Sequence, residues 1–469
     1  MERKITSVKT IVGKLIIEEG NPVEINEALF EARRVFNEVL IKLLNGVKVR
    51  EKEVRSFLLR NTKQRVIAKA KETFKSFNEL RKRGQAEKLR IHENKPLPLK
   101  MNFREGYNLW SGEDGGIRFR ISLAPGKHVK GRLLFSREHE EIVKEALEKE
   151  LYKITMAELV KRGGEYYLHI VVTKETHLPA VRYAAGIDIN EDNVAVTVYD
   201  LETKKAVDTF IVDYSIIKFL RHYWFTIRKR IQKHGGKRKK LAFTSRERRQ
   251  IKHPLHIISK RIAYHLSRYP GIIVFMEELT DIRNGSNKGK RMNRRLHSWS
   301  FYKLQQFLKY KLEWMGAPVE FVPPKETSHR CPLCGVSGTR HKKMFKCPNG
   351  HIGHADRNAS VNILIRGCVV HLHVPRSAFR AMKLPNFRMW RLRRDESGAW
   401  GIVNMPLPAG VEPYTAAQRQ EAAKLAPAGG SPKLQLGVVH ALMIKTASGT
   451  SVRGGSGLLA SKGNPYLYV

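Results

Sequence analysis

The first twenty residues alternate apolar and polar side chains, the period of a β-strand, and predict one or two strands. The period then changes. From Asn26, a candidate N-cap, apolar residues recur at helical spacing until Gly46, and a second helix is predicted from about Thr62 to Arg83. Alternation returns over residues 98–175. These patterns predict a β-rich lobe into which a helical region is inserted.

The second half of the chain mixes strand and helix signals. A hairpin is predicted over residues 184–200, and the apolar run 271–275 reads as a buried strand. A helix over 300–314 and a strand over 319–322 follow, which indicates an α/β pattern. After Gly367 the periodicity fades, so we expect a chain that stops after about Arg376 to keep its function.

The composition of the chain also indicates a binding partner. The 469-residue chain has 87 Lys and Arg against 44 Asp and Glu, a formal net charge of +43. Its hydrophobic content of 42% is enough for folded cores, which excludes a disordered basic tail. A large polyanion is the simplest partner for such a charge, so the sequence indicates a globular protein that binds nucleic acid.

The positive charge is densest over residues 217–262, where 16 Lys and Arg stand beside one acid, Glu247. A solvated helix face is the alternative interpretation, but an imbalance of this size would repel itself without a phosphate backbone nearby. The candidate nucleic-acid contacts are Arg228, Lys229, Arg230, Lys237, Arg238, Lys239, Lys240, Arg248 and Arg249.

Membrane and export signals are absent from the sequence. The longest apolar stretches, such as 271–276, are far below the roughly 20 residues that cross a bilayer. Lys9 and Lys14 interrupt any apolar region of a signal peptide. We therefore expect a cytoplasmic, intracellular protein that associates with the nucleoid when it is bound to DNA.

Three of the four cysteines lie within 17 residues and predict a structural Zn²⁺ site, because a CxxC knuckle is followed by a second ligand pair. Gly350 stands where the last cysteine of a second CxxC would be, so the fourth ligand is a histidine: His351, with His354 and His341 as alternatives. Cys368 is isolated and is expected to be buried. The candidate zinc ligands are Cys331, Cys334, Cys347 and His351.

Three acids form a second group. Asp188 lies inside an apolar strand, Glu277 ends another, and Asp356 opens a helix. Singly, each has a structural explanation, such as an N-cap for Asp356. Carboxylates on neighbouring strands would repel and raise each other's pKa unless divalent cations lie between them. Together the three predict a site for two Mg²⁺ ions, which can clamp a scissile phosphate.

These motifs resemble a known family. GIDIN around Asp188, FMEEL around Glu277, ETSHRCPLCG through Cys347, and HADRNASVNI around Asp356 are similar to the three RuvC motifs and interposed zinc finger of TnpB. TnpB proteins are transposon-encoded RNA-guided DNA nucleases related to compact type V CRISPR effectors. The resemblance covers about 184–366. One departure is the second CxxC, of which Cys347 alone remains.

The resemblance implies that Asp188, Glu277 and Asp356 bind catalytic Mg²⁺ in an RNase H-like fold. Glu278 stands where the family usually has Asp or Asn, which favours Glu277 as the catalytic acid. For three further residues of the last motif, substrate contact and helix packing both remain open: Arg357, Asn358 and Asn362.

The expected fold class is a multidomain α+β protein: a wedge-like β lobe with an inserted helical recognition region, then an α/β RNase H-like (RuvC) nuclease domain with an inserted zinc finger. The expected bounds are 1–25 and 98–180 for the wedge, 26–97 for the helical insertion, 184–330 and 352–368 for the nuclease, 331–351 for the zinc finger, and 369–469 for a C-terminal extension of unknown structure.

The predicted function is guide-RNA-directed cleavage of double-stranded DNA by a transposon-encoded, Mg²⁺-dependent endonuclease, with Zn²⁺ in a structural role. The predicted partners are a guide RNA and target double-stranded DNA. Two alternatives share the fold: a compact type V CRISPR effector, and a guided DNA-binding repressor that has lost cleavage. The presence of all three acids disfavours the repressor.

Overall fold

The structure is a computed structural model that describes residues 3–149, 152–234, 237–279, 301–380 and 382–405. For residues 234 and 237–245 it describes the helical backbone without the side chains. Within these ranges the strands form two seven-stranded sheets and one small three-stranded sheet.

The first sheet is antiparallel throughout, and its strands lie in the order β2-β6-β7-β1-β5-β4-β3. Its strands alternate buried and more exposed residues, as the sequence pattern predicts: Ile117, Phe119 and Ile121 point into the core. The strands are β1 (Lys4–Glu19), β2 (Leu99–Asn102), β3 (Tyr107–Ser111), β4 (Ile117–Ala124), β5 (Lys127–Leu134), β6 (Lys153–Arg162) and β7 (Glu165–His177).

Helices α1 (Pro22–Leu44) and α2 (Arg60–Lys82) share one hydrophobic core with this sheet, and a short 3₁₀ helix (Glu51–Glu53) lies between them. Helix α3 (Arg137–Glu148) follows β5. Its buried Ile142 and Val143 join the same core. The helical region therefore packs on the sheet.

The start of α1 corrects the N-cap prediction. Asn21, not Asn26, is the cap: its side-chain oxygen accepts a hydrogen bond from the Val23 N–H at 2.9 Å. Pro22 takes the first helical position, where a missing N–H costs nothing. Asn26 lies inside the helix, and its side-chain oxygen accepts from Lys161. The dipeptide Asn21-Pro22 is the signal in the sequence that predicts this boundary.

The second sheet begins with a meander, β8 (Tyr183–Ile189), β9 (Asn193–Asp200) and β10 (Lys205–Asp213). Two helices follow, α4 (Ser215–His234) and α5 (Lys237–Leu266). Strand β11 (Ile272–Glu277) then pairs parallel with β8, and after α6 (Phe301–Trp314) strand β12 (Val319–Val322) pairs parallel with β11. The strand–helix alternation of the sequence thus becomes a mixed α/β sheet.

A small antiparallel sheet interrupts this lobe: β13 (Thr339–His341), β14 (Met344–Lys346) and β15 (Ile352–His354). Helix α7 (Ala355–Leu372) follows directly and packs on one face of the second sheet, opposite α4, α5 and α6. Every residue of β9 is buried, because helices cover both faces. Helix α7 lies very close to β8: a Cβ at Gly186 would stand 2.1 Å from the Ser360 carbonyl oxygen.

Two strands after Gly367 were not foreseen. Beyond a 3₁₀ helix (Arg376–Phe379), β16 (Arg388–Arg394) pairs parallel with β10, and β17 (Trp400–Met405) pairs with β16. In β16 only Trp390 and Leu392 are buried, which is too short a pattern to stand out in an arginine-rich segment. These strands complete the second sheet in the order β12-β11-β8-β9-β10-β16-β17, so a stop after Arg376 would remove two of its strands.

The two lobes meet at α6. The Trp314 ring stacks on Tyr152 of the first lobe, with ring centroids 5.3 Å apart, and the Lys9 ammonium lies over the same indole. None of the helices in the described ranges has the length and apolar character needed to span a membrane.

Candidate active site and Cys₃His cluster

Two of the three predicted acids lie side by side on adjacent parallel strands. Met276 of β11 pairs with Ile187 of β8, so the next residues, Glu277 and Asp188, are neighbours near the carboxyl ends of the strands. The Asp188 side chain is buried. Parallel pairing thus brings together two carboxyl groups that are separated by 89 positions in the sequence.

Asp356 belongs to a helix rather than to the sheet. It lies in the first turn of α7 and is fully buried. Burial and the negative charges of Glu277 and Asp356 raise the pKa of Asp188 well above its ordinary value. Burial also raises the pKa of Glu277, although a hydrogen bond from Thr327 opposes the rise. The three acids, the acidic site below, therefore form one electrostatically coupled group.

Asp356 differs from its two partners, since positive groups lie against it. Arg340 donates to one carboxylate oxygen at 2.6 Å, and Lys343 donates to the other at 2.8 Å. Lys343 also binds Asp192 at 2.9 Å. Burial alone would raise the pKa of Asp356, but Lys343 and Arg340 hold it below its ordinary value. Both cations come from the β13–β14 hairpin, so the small sheet contributes directly to the acidic site.

Three polar residues that the sequence analysis did not single out position the acids. Asn190 donates to Asp188 at 2.6 Å and Asn193 to Asp356 at 2.8 Å, while the Thr327 hydroxyl donates to Glu277. Asn190 and Asn193 flank the β8–β9 turn, directly after the GIDI segment. For Asn190 and Asn193 the sequence offered one signal, a polar residue at a strand end beside a buried acid. The sequence offered no signal for Thr327, because its loop meets Glu277 only in the folded chain.

The neighbouring acid Glu278 is exposed, whereas Glu277 is partly buried. For the three residues of the third motif, the contacts favour helix packing over substrate contact. Asn358 donates to the Arg330 carbonyl at 2.9 Å, and Asn362 donates to the carbonyls of Thr327 and Arg330. The Arg357 guanidinium is buried and donates to Pro385 O at 2.5 Å. These side chains tie α7 to the loops around the site.

The four predicted zinc ligands converge. Their ligand atoms all lie within 4.8 Å of one another, with 3.3 Å between the sulfurs of Cys334 and Cys347 and 3.6 Å from Cys331 Sγ to His351 Nδ1. Ligands about 2.0 to 2.3 Å from a tetrahedral Zn²⁺ stand roughly 3.3 to 3.8 Å apart, so the spacing of these two pairs and the Cys₃His chemistry fit zinc. These four residues are the Cys₃His cluster below.

The two alternative histidines lie elsewhere. His341 is exposed on β13, and His354 is the N-cap of α7, where burial lowers its pKa to about 4. Gly350 has φ +80°, a left-handed conformation that suits glycine, and its N–H donates to the Cys347 carbonyl. This turn presents His351 to the three cysteines. Cys368 is buried in the core between α7 and the sheet, as expected for an isolated cysteine.

The predicted nucleic-acid residues lie on α4 and α5. Lys229, Arg230, Arg248 and Arg249 are exposed. Arg228 is partly buried and forms an ion pair with Glu247, which removes part of its charge from the surface. The side chains of Lys237, Arg238, Lys239 and Lys240 lie outside the described residues. Their role in binding stays a prediction.

Known proteins resemble this chain in sequence and in fold. The Cas12f1-like TNB domain family matches residues 301–363. A TnpB-like protein of Methanocaldococcus jannaschii is 31% identical over 242 residues, which is 50% of this chain and 84% of that protein. The CRISPR-associated endodeoxyribonuclease Cas12f1 of Sulfoacidibacillus thermotolerans is 43% identical over 94 residues, 19% of this chain and 21% of that protein.

Among solved structures, a Cas12f1-sgRNA-target DNA complex aligns with a TM-score of 0.51 at 17% identity, over 72% of this chain and 82% of that one. This likeness supports a multidomain α+β architecture. The extent of the match to the archaeal protein is decisive for the family. The chain belongs to the TnpB-like family of proteins.

Proposed function

We propose that this protein is a transposon-encoded RNA-guided DNA endonuclease that cleaves target double-stranded DNA by Mg²⁺-dependent hydrolysis at the acidic site. The observation that carries the proposal is that Asp188 of β8, Glu277 of β11 and Asp356 of α7 come together near the carboxyl ends of the two strands. Helices cover both faces of this sheet. In a protein that only bound nucleic acid, three clustered acids would repel the phosphates and weaken binding.

The donor chemistry fits divalent cations. Burial raises the pKa of both Asp188 and Glu277, and the negative charges of Glu277 and Asp356 raise the pKa of Asp188 further. A hard cation with oxygen ligands relieves that penalty. Two Mg²⁺ ions held by the three carboxylates would activate water and stabilise the leaving oxygen of a phosphodiester.

The remaining polar residues have positioning roles. Asn190, Asn193 and Thr327 each donate to one of the acids, which fixes the orientation of its oxygens. Arg340 and Lys343 offset the negative charge of Asp356 and are close enough to the acids to contact a phosphate bound there.

The partners follow from charge and from relatives. A net charge of +43 exceeds what one scissile phosphate needs, and a structured RNA with its DNA heteroduplex would compensate it. Cas12f1 is described as an endodeoxyribonuclease and, in the similar solved structure, is bound to sgRNA and target DNA. These relatives support guide RNA and double-stranded DNA as partners here.

One test of the acidic site compares two adjacent glutamates. Glu277→Gln should abolish cleavage while RNA and DNA binding persist, because phosphate affinity comes from dispersed Lys and Arg. Glu278→Gln, which removes the same charge from an exposed position, should cleave like the wild type. Equal cleavage by both variants would remove Glu277 from the site.

A test of guidance uses protein expressed with its native locus. We expect a discrete RNA to copurify and double-stranded DNA that matches the variable end of that RNA to be cut, while RNA-free protein is inactive or unspecific. RNA-free protein that cut a defined DNA target as well as the complex does would exclude guidance.

We further propose that Cys331, Cys334, Cys347 and His351 hold one structural Zn²⁺ ion. A closed four-ligand site should be nearly full, so protein purified without chelator should contain about one equivalent of zinc. His351→Ala should lose that zinc and lower the melting temperature, whereas His341→Ala, on the neighbouring β13, should keep both. Equal zinc in the two variants would assign the fourth ligand elsewhere.

A further inference from the structure

A second charged region lies away from the acidic site, where α5 ends beside β16. A cavity of about 480 Å³ opens there next to another of about 510 Å³. The two share His265, Arg268, Asn386 and Arg388 in their walls, and Arg261 lines the first. This volume is in the range of small-ligand sites. We call this region the arginine pocket, after Arg261, Arg268 and Arg388.

A buried acid holds one of the three arginines directly. Asp208 of β10 accepts hydrogen bonds from Arg388 on both carboxylate oxygens, at 2.6 and 2.7 Å, and a third from the Tyr269 hydroxyl at 3.0 Å. The same carboxylate binds His265 Nε2 at 2.6 Å. Asp208 therefore fixes the position of Arg388 at the pocket wall.

The second arginine is held through the histidine. Arg268 donates to His265 Nδ1, so the ring proton is on Nε2 and points to Asp208. Arg261, the third, lies with its guanidinium 5.2 Å from the Trp390 ring centroid, and Arg388 lies 5.7 Å from the same ring. Trp390 is buried and gives both guanidinium groups a flat support.

The charges at this pocket do not balance. Three guanidinium groups surround it, while Asp208 supplies one negative charge and His265 serves as a hydrogen-bond relay. All three arginines are exposed, so their outer N–H groups can reach a ligand. A guanidinium fork matches the paired oxygens of a phosphate, and an Arg pair presents several donors to it. The chemistry selects a phosphodiester.

The position of the pocket separates it from cleavage. Asp188 aligns across β9 and β10 with Met389 of β16, three strands or about 14 Å away. Arg388 pairs with Phe210, whose side chain lies on the α5 face of the sheet, whereas Asp188 faces α7. The sheet therefore stands between the pocket and the acids, and a strand held here is not presented for hydrolysis at this point.

We propose that the arginine pocket binds a phosphodiester of the guide RNA, in a part of that RNA that the nuclease holds but does not cut. The inference rests on the proposed function for the existence of a guide. The pocket lies at the end of α5, the helix that also carries the exposed Arg248 and Arg249. Arg261 lies in the basic segment 217–262, but none of the three arginines is among the individual contacts named from the sequence.

The test measures RNA affinity with the RNA that copurifies with the wild-type protein, labelled and rebound to RNA-free protein. Arg261→Gln combined with Arg268→Gln should weaken binding about tenfold, and the slope of log affinity against log salt should become shallower by roughly 0.7 to 0.9 per lost phosphate contact. Arg261→Lys with Arg268→Lys keeps the charge but loses the fork, so it should lose less.

A matched control removes two exposed positive charges from the first lobe: Arg137→Gln with Lys149→Gln on and after α3. This control should bind RNA like the wild type. An equal loss in both double glutamine variants would mean a general charge effect and would overturn the proposal. The proposal would also be overturned if the pocket variant bound RNA with unchanged affinity while its RNA complex bound target DNA more weakly. That result would assign the pocket to DNA.

Failure of the proposed function gives a different result. Wild-type protein that retains no RNA would overturn the guided-nuclease proposal and this assignment with it. Wild-type protein that binds RNA, with a pocket variant that binds equally well and melts at the same temperature, would overturn the pocket alone.

Discussion

Two buried aspartates of the same sheet have opposite surroundings. Asp188 on β8 faces Glu277 and Asp356, and burial with these negative charges raises its pKa. Asp208 on β10 faces Arg388 and His265; burial opposes ionisation there too, but their hydrogen bonds hold its pKa below the ordinary value. A bound cation would reduce the electrostatic penalty on ionised Asp188, whereas Asp208 already has the cation Arg388 beside it.

The difference shows what each acid can do. The charge of Asp208 is already matched by Arg388, and its carboxylate holds that arginine in position. A carboxylate whose neighbours are also acidic is a candidate metal ligand. Burial is the same for both residues, 7% and 6% exposed, so the charges of the neighbours decide the role.

The largest expected difference is in catalysis. Asp188→Asn should lower cleavage by more than about 100-fold, since losing even an outer partner of a metal ligand costs 10- to 100-fold. Asp208→Asn should cut at a rate much closer to wild type once bound to RNA and DNA, because Asp208 lies on the other face of the sheet. Single-turnover cleavage of a matched DNA duplex measures both. Equal losses would break the comparison.

A second prediction concerns the C-terminal strands, which carry Arg388 but none of the acids. A chain that stops after Arg376 loses the burial of Trp390 and Leu392, about 1.5 to 3 kcal/mol for each, and exposes the edge of β10. We expect it to unfold at a much lower temperature, whereas a stop after Met405 keeps both strands and should stay near wild type. Thermal unfolding of the two truncations decides this, and equal stability would show that β16 is dispensable.

A third prediction tests how tightly the acidic site is built. Gly186→Ala places a Cβ 2.1 Å from the Ser360 carbonyl, so α7 and with it Asp356 must shift. We expect a loss of about 1 to 3 kcal/mol in the free energy of unfolding, together with slower cleavage. Gly401→Ala on β17 is the control, because nothing lies within 4 Å of its new Cβ. Denaturant unfolding measures both, and the same stability for both variants would contradict the close packing.

The smallest expected effect is the stability contribution of Asp208. Its pKa is lower in the folded than in the unfolded chain, so it stabilises the fold above the unfolded pKa and loses that contribution as pH falls through the folded pKa. Asp208→Asn should cost about 1 to 2 kcal/mol at pH 7, limited by the half exposure of Arg388. The gap to wild type should shrink below about pH 4. Unfolding free energies at the two pH values test this; a gap that widened in acid would reverse the assignment.

Local patterns in the sequence were sufficient for much of this protein. The alternation in residues 117–123, the helical period after Gly20 and the apolar run before Glu277 each reflect one face or both faces of an element being buried, a property that neighbouring residues record. The Cys₃His cluster was predictable for the same reason, since its four residues lie within 21 positions and a short loop must bring them together. The three motifs that carry the acids were also recognisable, because each is a short segment of one strand or helix.

Contacts between distant segments were decided by the tertiary structure alone. Thr327 meets Glu277 because Val322 of β12 pairs with Glu277, which brings the loop after β12 to the end of β11. Arg340 meets Asp356 because the β13–β14 hairpin lies against the start of α7. Arg388 reaches Asp208, 180 positions earlier, through the parallel pairing of β16 with β10. The sequence by itself determined which residues were acidic, basic or metal-ligating. Whether a buried acid faces acids or arginines depends on strand order, and no local pattern encodes strand order.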